Sequence, residues 1–173
     1  MKGCHLEALA CSAEEALSGL FEQYGLEYQL VEHAPVFTVE EALAAVPDLD
    51  GIKTKNVFLR DAKGNRHFLV IVPHDRRVDL AALAQVLPST KLSMGSPDRL
   101  QRHLGVTPGA VSIFALINDR NKAVELIVDE RIWAAEKVQG HPLRNTATVS
   151  MTHASLKVFL DRLGYAPRVI AVP

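Results

Sequence analysis

Lys55-Asn56-Val57-Phe58-Leu59-Arg60 and Arg66-His67-Phe68-Leu69-Val70-Ile71-Val72 are two β-rich runs separated by Asp61-Ala62-Lys63-Gly64-Asn65. A glycine-containing turn between two such runs predicts a β-hairpin. Helical signals surround it. Upstream, Ser12 and Glu15 have capping-box spacing, and Leu17, Leu20, Phe21 and Tyr24 repeat at the period of one helix face. Gly25 ends that helix, and a strand fits Tyr28–Glu32. Thr38-Val39-Glu40-Glu41 opens a second helix, which Pro47 closes. Downstream, Asp79–Leu87 reads as a helix stopped by Pro88, and Ser96-Pro97 caps another that runs to Leu104 and ends at Gly105. Val111–Leu116 and Ala123–Val128 read as strands joined by the polar turn Asn118-Asp119-Arg120-Asn121. Thr146–Met151 reads as a further strand, and Thr152 caps a last helix that ends at Gly164. Strands and helices alternate irregularly, with hairpins among the strands. The expectation is an α+β fold, a mixed or antiparallel central sheet with packed helices. Without a linker-like stretch or a repeat, residues 1–173 are expected to form one domain.

Composition narrows the functional classes. The chain is 48% hydrophobic and 23% charged, which excludes a disordered or fibrous chain. Nineteen basic residues stand against twenty acidic ones, so there is no overall basic field and a general DNA-binding role is disfavoured. Lys53, Lys55, Arg76, Arg77, Lys91, Arg99 and Arg102 could still gather into one basic side, or simply be solvated. No apolar run approaches a membrane span, and the N-terminus lacks a signal-peptide core, so a cytoplasmic location is expected. Cys4 and Cys11 read as reduced thiols.

The motif search is negative for metal and nucleotide chemistry. H-E-x-x-H, paired C-x-x-C, the P-loop and the G-x-S-x-G elbow are missing, and seven histidines are scattered. No metal and no cofactor is expected. Three stretches interrupt apolar surroundings with polar groups. Lys55 begins a strand on the face of Val57 and Leu59, with Asn56 and Phe58 on the other. Its ammonium reads as a donor at a pocket mouth, or as a lysine that snorkels to solvent. Gly105–Leu116 reads as a tight turn whose consecutive N–H groups hold an oxyanion, or as an ordinary turn. His141, fixed by Pro142 and flanked by Asn145 and Thr146, reads as orienting a ligand or as a satisfied surface histidine.

Five stretches in order carry a resemblance: His33 to Ala42 around Pro35-Val36-Phe37-Thr38, Lys55-Asn56, Leu104 to Ser112, Ala115 to Asp119, and His141-Pro142-Leu143 with Asn145 to Thr148. Their order and spacing resemble the freestanding relatives of the prolyl-tRNA synthetase editing domain, the YbaK-like superfamily, and within it the alanine-specific branch. The similarity runs over about residues 12–165. It implies an aminoacyl-tRNA deacylase that hydrolyses the ester of Ala-tRNA(Pro) without metal or protein nucleophile. Its implied partners are tRNA(Pro) charged with alanine and prolyl-tRNA synthetase.

By this resemblance Lys55 is the essential lysine, Asn56 supports it, and His141 is the late-motif histidine. Gly109-Ala110-Val111-Ser112-Ile113 is the loop whose backbone faces the substrate. Val36, Phe37 and Thr38 line the amino-acid pocket, and Asn145 flanks it. Val36, Phe37 and Ile113 are of the type that narrows a pocket against proline. The family loop closes on proline where this chain has Ile113, so one rigid residue is missing while the backbone donors stay. Cys-tRNA(Pro) or another small-amino-acid ester is the alternative substrate. A non-catalytic module that captures aminoacyl-tRNA or docks on a synthetase is the alternative from another class.

Overall fold

The computed structural model describes residues 12–46 and 48–173; Cys4, Cys11 and the helix stop expected at Pro47 lie outside them. The hairpin forms as the sequence predicts. β2 (Thr54–Arg60) and β3 (His67–Pro73) pair antiparallel, with Thr54 opposite Pro73 and Arg60 opposite His67. β5 (Val124–Asp129) adds to β3 in parallel, and β8 (Arg168–Ile170) adds to β5 in parallel. The two-residue β4 (Ser93–Met94) caps the other edge on β2. The result is a mixed five-stranded sheet.

β3 is buried along its whole length because both faces of the sheet are covered. The two-residue period sorts its side chains. Val57, Leu59, Phe68, Val70 and Val72 pack towards Leu83 and Ala84 of α3 (Leu80–Val86). Phe58, Leu69 and Ile71 pack on the opposite face with α1 (Ala13–Gln23), α4 (Pro97–Leu104) and α6 (His153–Leu163). There Phe21, Phe114 and Phe159 meet edge to face at 5.5–5.9 Å between ring centroids. Each such pair adds about 0.5–1.5 kcal/mol beyond its buried area.

A second, three-stranded antiparallel sheet has β7 (Ala147–Thr152) between β1 (Tyr28–Glu32) and β6 (Lys137–Gly140). The β-structure is thus divided into two sheets rather than one continuous central sheet. A single bridge joins them. The Ile52 N–H donates to the Lys137 carbonyl, and the Gln139 N–H to the Ile52 carbonyl, both at 2.9 Å. This joint sets the start of β2 against the end of β6.

The helix ends follow their local chemistry. Ser12 with Glu15, and Thr38 with Glu41, form reciprocal capping boxes, the second opening α2 (Val39–Ala45). Gly105 and Gly164 end α4 and α6 in the left-handed conformation. One expected element differs. Val111–Leu116 is not a strand. Ser112 caps a 3-10 helix over Ile113–Asn118, in which Ile113 to Leu116 are all buried. A short run apolar on every side does not announce its period, and burial on all sides suits a tight helix as well as a strand. The turn at Asn118–Asn121 is present, but it leads out of that helix; Asp119 holds it by accepting from the Ala123 and Val124 N–H groups at 3.1 and 2.8 Å. The four-residue helix α5 (Glu130–Trp133) and strands β4, β6 and β8 are additions too short to show in the pattern. Among the described residues, no helix is long and apolar enough to cross a membrane.

Candidate active site

A cavity of about 220 Å³ opens at the joint between the two sheets. From β2 it receives Thr54, Lys55 and Asn56, and from the residues flanking the hairpin Lys53 and His74. The other side gives Gln139, Gly140, His141 and Thr148. Val36, Phe37, Thr38, Gly109 and Val111 complete the wall. Among the described residues, no carboxylate lines it.

On the lysine side, the Lys55 Nζ donates to the Arg76 carbonyl at 3.4 Å, and the Lys53 Nζ reaches the Val46 carbonyl at 3.5 Å. Both bonds are long, so both ammoniums keep donors for an anion. The Thr54 hydroxyl donates to the Gln139 carbonyl at 2.8 Å and accepts from the Asn56 Nδ2 at 3.2 Å. Thr54 has one proton and has spent it on Gln139, so the Asn56 amide is oriented with nitrogen towards it. Gln139 is buried, and its Nε2 faces the carbonyls of Leu49, Asp50 and Gly51, which fastens that loop beneath the cavity.

On the histidine side, the His141 Nδ1 lies 2.8 Å from the Ala147 carbonyl. A carbonyl only accepts, so Nδ1 carries the proton and Nε2 of the neutral ring is an acceptor. Burial pushes the His141 pKa down; the bond to Ala147 opposes this in part, and neighbouring His33 adds to it. The His33 ring stands 6.1 Å from that of His141, and its Nε2 is 2.9 Å from the Thr148 hydroxyl.

The loop at Gly109 is tied to this wall. Gly109 has φ +94°, a conformation that costs a side-chain-bearing residue about 1 kcal/mol or more. Ser112 is buried and its hydroxyl donates to the His141 carbonyl at 2.6 Å. The entry segment is held from two sides. The Val36 N–H donates to the Asn145 carbonyl at 3.1 Å, and the Asn145 Nδ2 to the Val36 carbonyl at 3.0 Å. Glu41 accepts from the Phe37 and Thr38 N–H groups at 2.7 and 3.2 Å.

Residues 33–159 match the model of the aminoacyl-tRNA editing domain. The chain is 40% identical over 153 residues to the prolyl-tRNA editing protein ProX of Acetoanaerobium sticklandii, covering 88% of this chain and 93% of that one. It is 34% identical over 157 residues to prolyl-tRNA synthetase associated domain-containing protein 1 of Danio rerio, covering 90% and 85%. The fold is similar to that of a solved trans-editing enzyme for prolyl-tRNA synthetase, with TM-score 0.69 at 21% identity over 94% of this chain and 98% of that one. The chain belongs to the aminoacyl-tRNA editing domain family.

In this editing domain, eight of the residues singled out from sequence share one cavity: Val36, Phe37, Thr38, Lys55, Asn56, Gly109, Val111 and His141. Four do not line it. Ala110 and Ile113 are buried in the core, Ile113 because the 3-10 helix starts there and turns it inward. Ile113 therefore does not line the cavity, whereas Val111 does. Ser112 and Asn145 act from behind through the bonds to His141 and Val36. The expected row of free N–H donors is also shorter, since the Ala110 N–H closes a turn onto the Thr107 carbonyl at 3.1 Å. Phe37 is 73% exposed, so it stands at the mouth rather than in the depth. Of the basic residues that could gather on one side, Lys53 and Lys55 line the cavity and Lys55 reaches the Arg76 carbonyl, whereas Arg99 donates to the Gly64 carbonyl at the turn end of the hairpin.

Gln139, Thr54 and His74 were not singled out from sequence, and Thr148 entered only as the end of the late motif, without a role. Thr148 had a signal. Along β7, Ala147, Val149 and Met151 face the core, while Thr148 and Ser150 are polar at the alternate positions, and all five are buried. A strand with a buried polar face is a strand that lines something.

Proposed function

We propose that the chain is a trans-editing hydrolase that cleaves the aminoacyl ester of mischarged Ala-tRNA(Pro). The observation that carries this reading is the meeting of Lys55, Gly109 and His141, from three separate stretches, around one cavity. An aminoacyl ester is already activated. Its hydrolysis needs a positioned water and donors aimed at the tetrahedral oxyanion, each worth about 3–4 kcal/mol when well placed. The Gly109 and Val111 N–H groups and the Lys55 ammonium are the candidate donors; Lys55 acts by charge and position, not as a base. The neighbouring ribose hydroxyl of the tRNA assists proton transfer. A wall without carboxylates supports this scheme over a Ser–His–Asp arrangement. Exposed Phe37 offers a face for stacking the terminal base, a contact that serves any nucleotide. The wall formed by Val36 and Val111 favours a small acyl side chain, which is the discrimination a synthetase pocket for proline cannot itself supply. A cytoplasmic location and an encounter with prolyl-tRNA synthetase belong to this reading.

The test is deacylation of Ala-, Cys- and Pro-charged tRNA(Pro). The expected order is Ala fastest, with Pro slowest. Lys55→Ala lowers kcat/KM for the Ala ester by about a hundredfold or more, the loss of one or two charged donors. Lys55→Arg does not restore it fully, because a planar fork does not replace a compact ammonium. A fastest rate on the Cys ester moves the substrate to that amino acid. Binding without cleavage of any ester replaces the hydrolase with a capture module.

A further inference from the structure

The hydrogen-bond directions around Thr148 say more about the substrate than the cavity outline does. The His33 Nδ1 lies 2.8 Å from the Ala34 carbonyl, so that nitrogen carries the proton. With the proton on Nδ1, the His33 Nε2 accepts, and the Thr148 hydroxyl 2.9 Å away donates to it. Thr148 has only one proton. Its oxygen therefore offers lone pairs, and no donor, to anything else in the cavity. The Ala147 carbonyl, one residue earlier on β7, fixes the His141 tautomer in the same sense and leaves its Nε2 as an acceptor. Both acceptors line the cavity from the side of the three-stranded sheet, while Lys53 and Lys55 line it from the side of the five-stranded sheet. The cavity thus offers ammoniums from the lysine side, where the buried Asn56 Oδ1 also stands without a partner, and only acceptors from Thr148 and His141.

We propose that Thr148 and His141 together bind the α-ammonium of the aminoacyl group, with Thr148 as a specificity-determining residue whose acceptor character His33 enforces. The proposal rests on the deacylase reading above and adds to it the chemical mark by which the substrate is known. An aminoacyl ester differs from an N-acylated or hydroxyacyl ester only at that nitrogen, which is largely protonated below pH about 7.7. An acceptor pair receives N⁺–H groups with the strength of charge-assisted bonds. An acylated nitrogen brings the same pair one N–H in place of three, no charge, and added bulk. The site so built admits a freshly mischarged tRNA and refuses one whose amino group is already in a peptide.

The experiment compares alanyl-, lactyl- and N-acetylalanyl-tRNA(Pro) as substrates of the wild-type chain, of Thr148→Val and of Thr148→Ser. Wild type cleaves the alanyl ester about tenfold or more faster in kcat/KM than either analogue, as expected of a site built on polar partners. Thr148→Val lowers the alanyl rate about tenfold, chiefly through KM, and leaves the lactyl rate within about twofold, so the preference collapses. Thr148→Ser restores it. Equal wild-type rates on alanyl and lactyl esters overturn the proposal while leaving the deacylase intact, and this comparison needs no variant. An equal loss on both esters in Thr148→Val also overturns it. No cleavage of any ester overturns the deacylase reading and the proposal with it.

Discussion

Among the described residues, two pairs of neighbouring histidines sit at opposite ends of the same hairpin. At the turn end, His67 and His103 stand 4.0 Å apart between ring centroids, with Phe58 stacked on His67. At the cavity end, His33 and His141 stand 6.1 Å apart. Burial lowers the pKa of His67, His103 and His141 alike. The difference is in what faces the second ring nitrogen. Arg99 donates to the His67 Nε2 at 3.0 Å, so the acceptor of the turn-end pair is consumed inside the protein. The His141 Nε2 lines a cavity instead. Burial and a shifted pKa therefore do not by themselves mark a site; an unspent acceptor beside an opening does.

Matched substitutions break this comparison most sharply. His141→Gln should lower kcat/KM for the Ala ester by about ten- to a hundredfold, the worth of a hydrogen bond to a charged group, with little change in Tm. His67→Phe should do the reverse. It takes from Arg99 one of its two acceptors, leaving the Gly64 carbonyl, and lowers stability by about 1–2 kcal/mol, while the ester rate stays within about twofold of wild type. Thermal melting and deacylation on the same two preparations decide the matter. A large activity loss in His67→Phe would place the turn-end pair in the functional machinery.

This contrast also bounds what the sequence could reveal. The caps at Ser12, Thr38, Ser96 and Thr152 and the glycines after α4 and α6 are local chemistry, and local chemistry is legible. So was the hairpin, whose turn and alternation lie within one continuous stretch. The 3-10 helix at Ile113 was not, because a run buried on all sides has no polar face to set its period. The strand β8 owes its pairing to β5, far back along the chain, and β6, at four residues, is too short to show a period even though its partner β7 is the next strand. Within the site, Lys55 and His141 could be proposed by residue type, yet nothing in either stretch said that Ser112 would tie the Gly109 loop to the His141 carbonyl. Thr148 was legible as the end of the late motif and in the alternation of β7, but not in its role. Its role depends on a tautomer set by Ala34, a partner more than a hundred residues away.

Acid provides a weaker separation of the two ends. The three histidines with depressed pKa are disfavoured in the charged form when folded, so the unfolded chain takes up protons first as the pH falls. Their contribution to stability is complete above the ordinary histidine value of about 6.5 and is lost as the pH falls below it. Tm should therefore drop between pH 8 and pH 5. His67→Phe, though less stable at neutral pH, should show a flatter curve, since one such group is gone. An unchanged slope in that variant would mean that His67 is protonated as readily folded as unfolded, against its contact with the Arg99 guanidinium.

The smallest expected effect concerns size. Val36 is buried, lines the cavity, and has both its N–H and its carbonyl held by Asn145, so its side chain cannot drift away from the wall. Val36→Ala removes two methyl groups at that fixed point. A methylene-sized change in an apolar pocket is worth about 1–3 kcal/mol, so the ratio of Pro-ester to Ala-ester hydrolysis should rise by about tenfold, chiefly through the Pro ester. The His141 and Thr148 acceptors are untouched, so the preference for alanyl over lactyl ester should persist in the same variant. Size exclusion and ammonium recognition then separate as two properties of one cavity. If Val36→Ala leaves the Pro-to-Ala ratio where it was, the wall that excludes proline lies elsewhere, and Val111 across the cavity is the next residue to shorten.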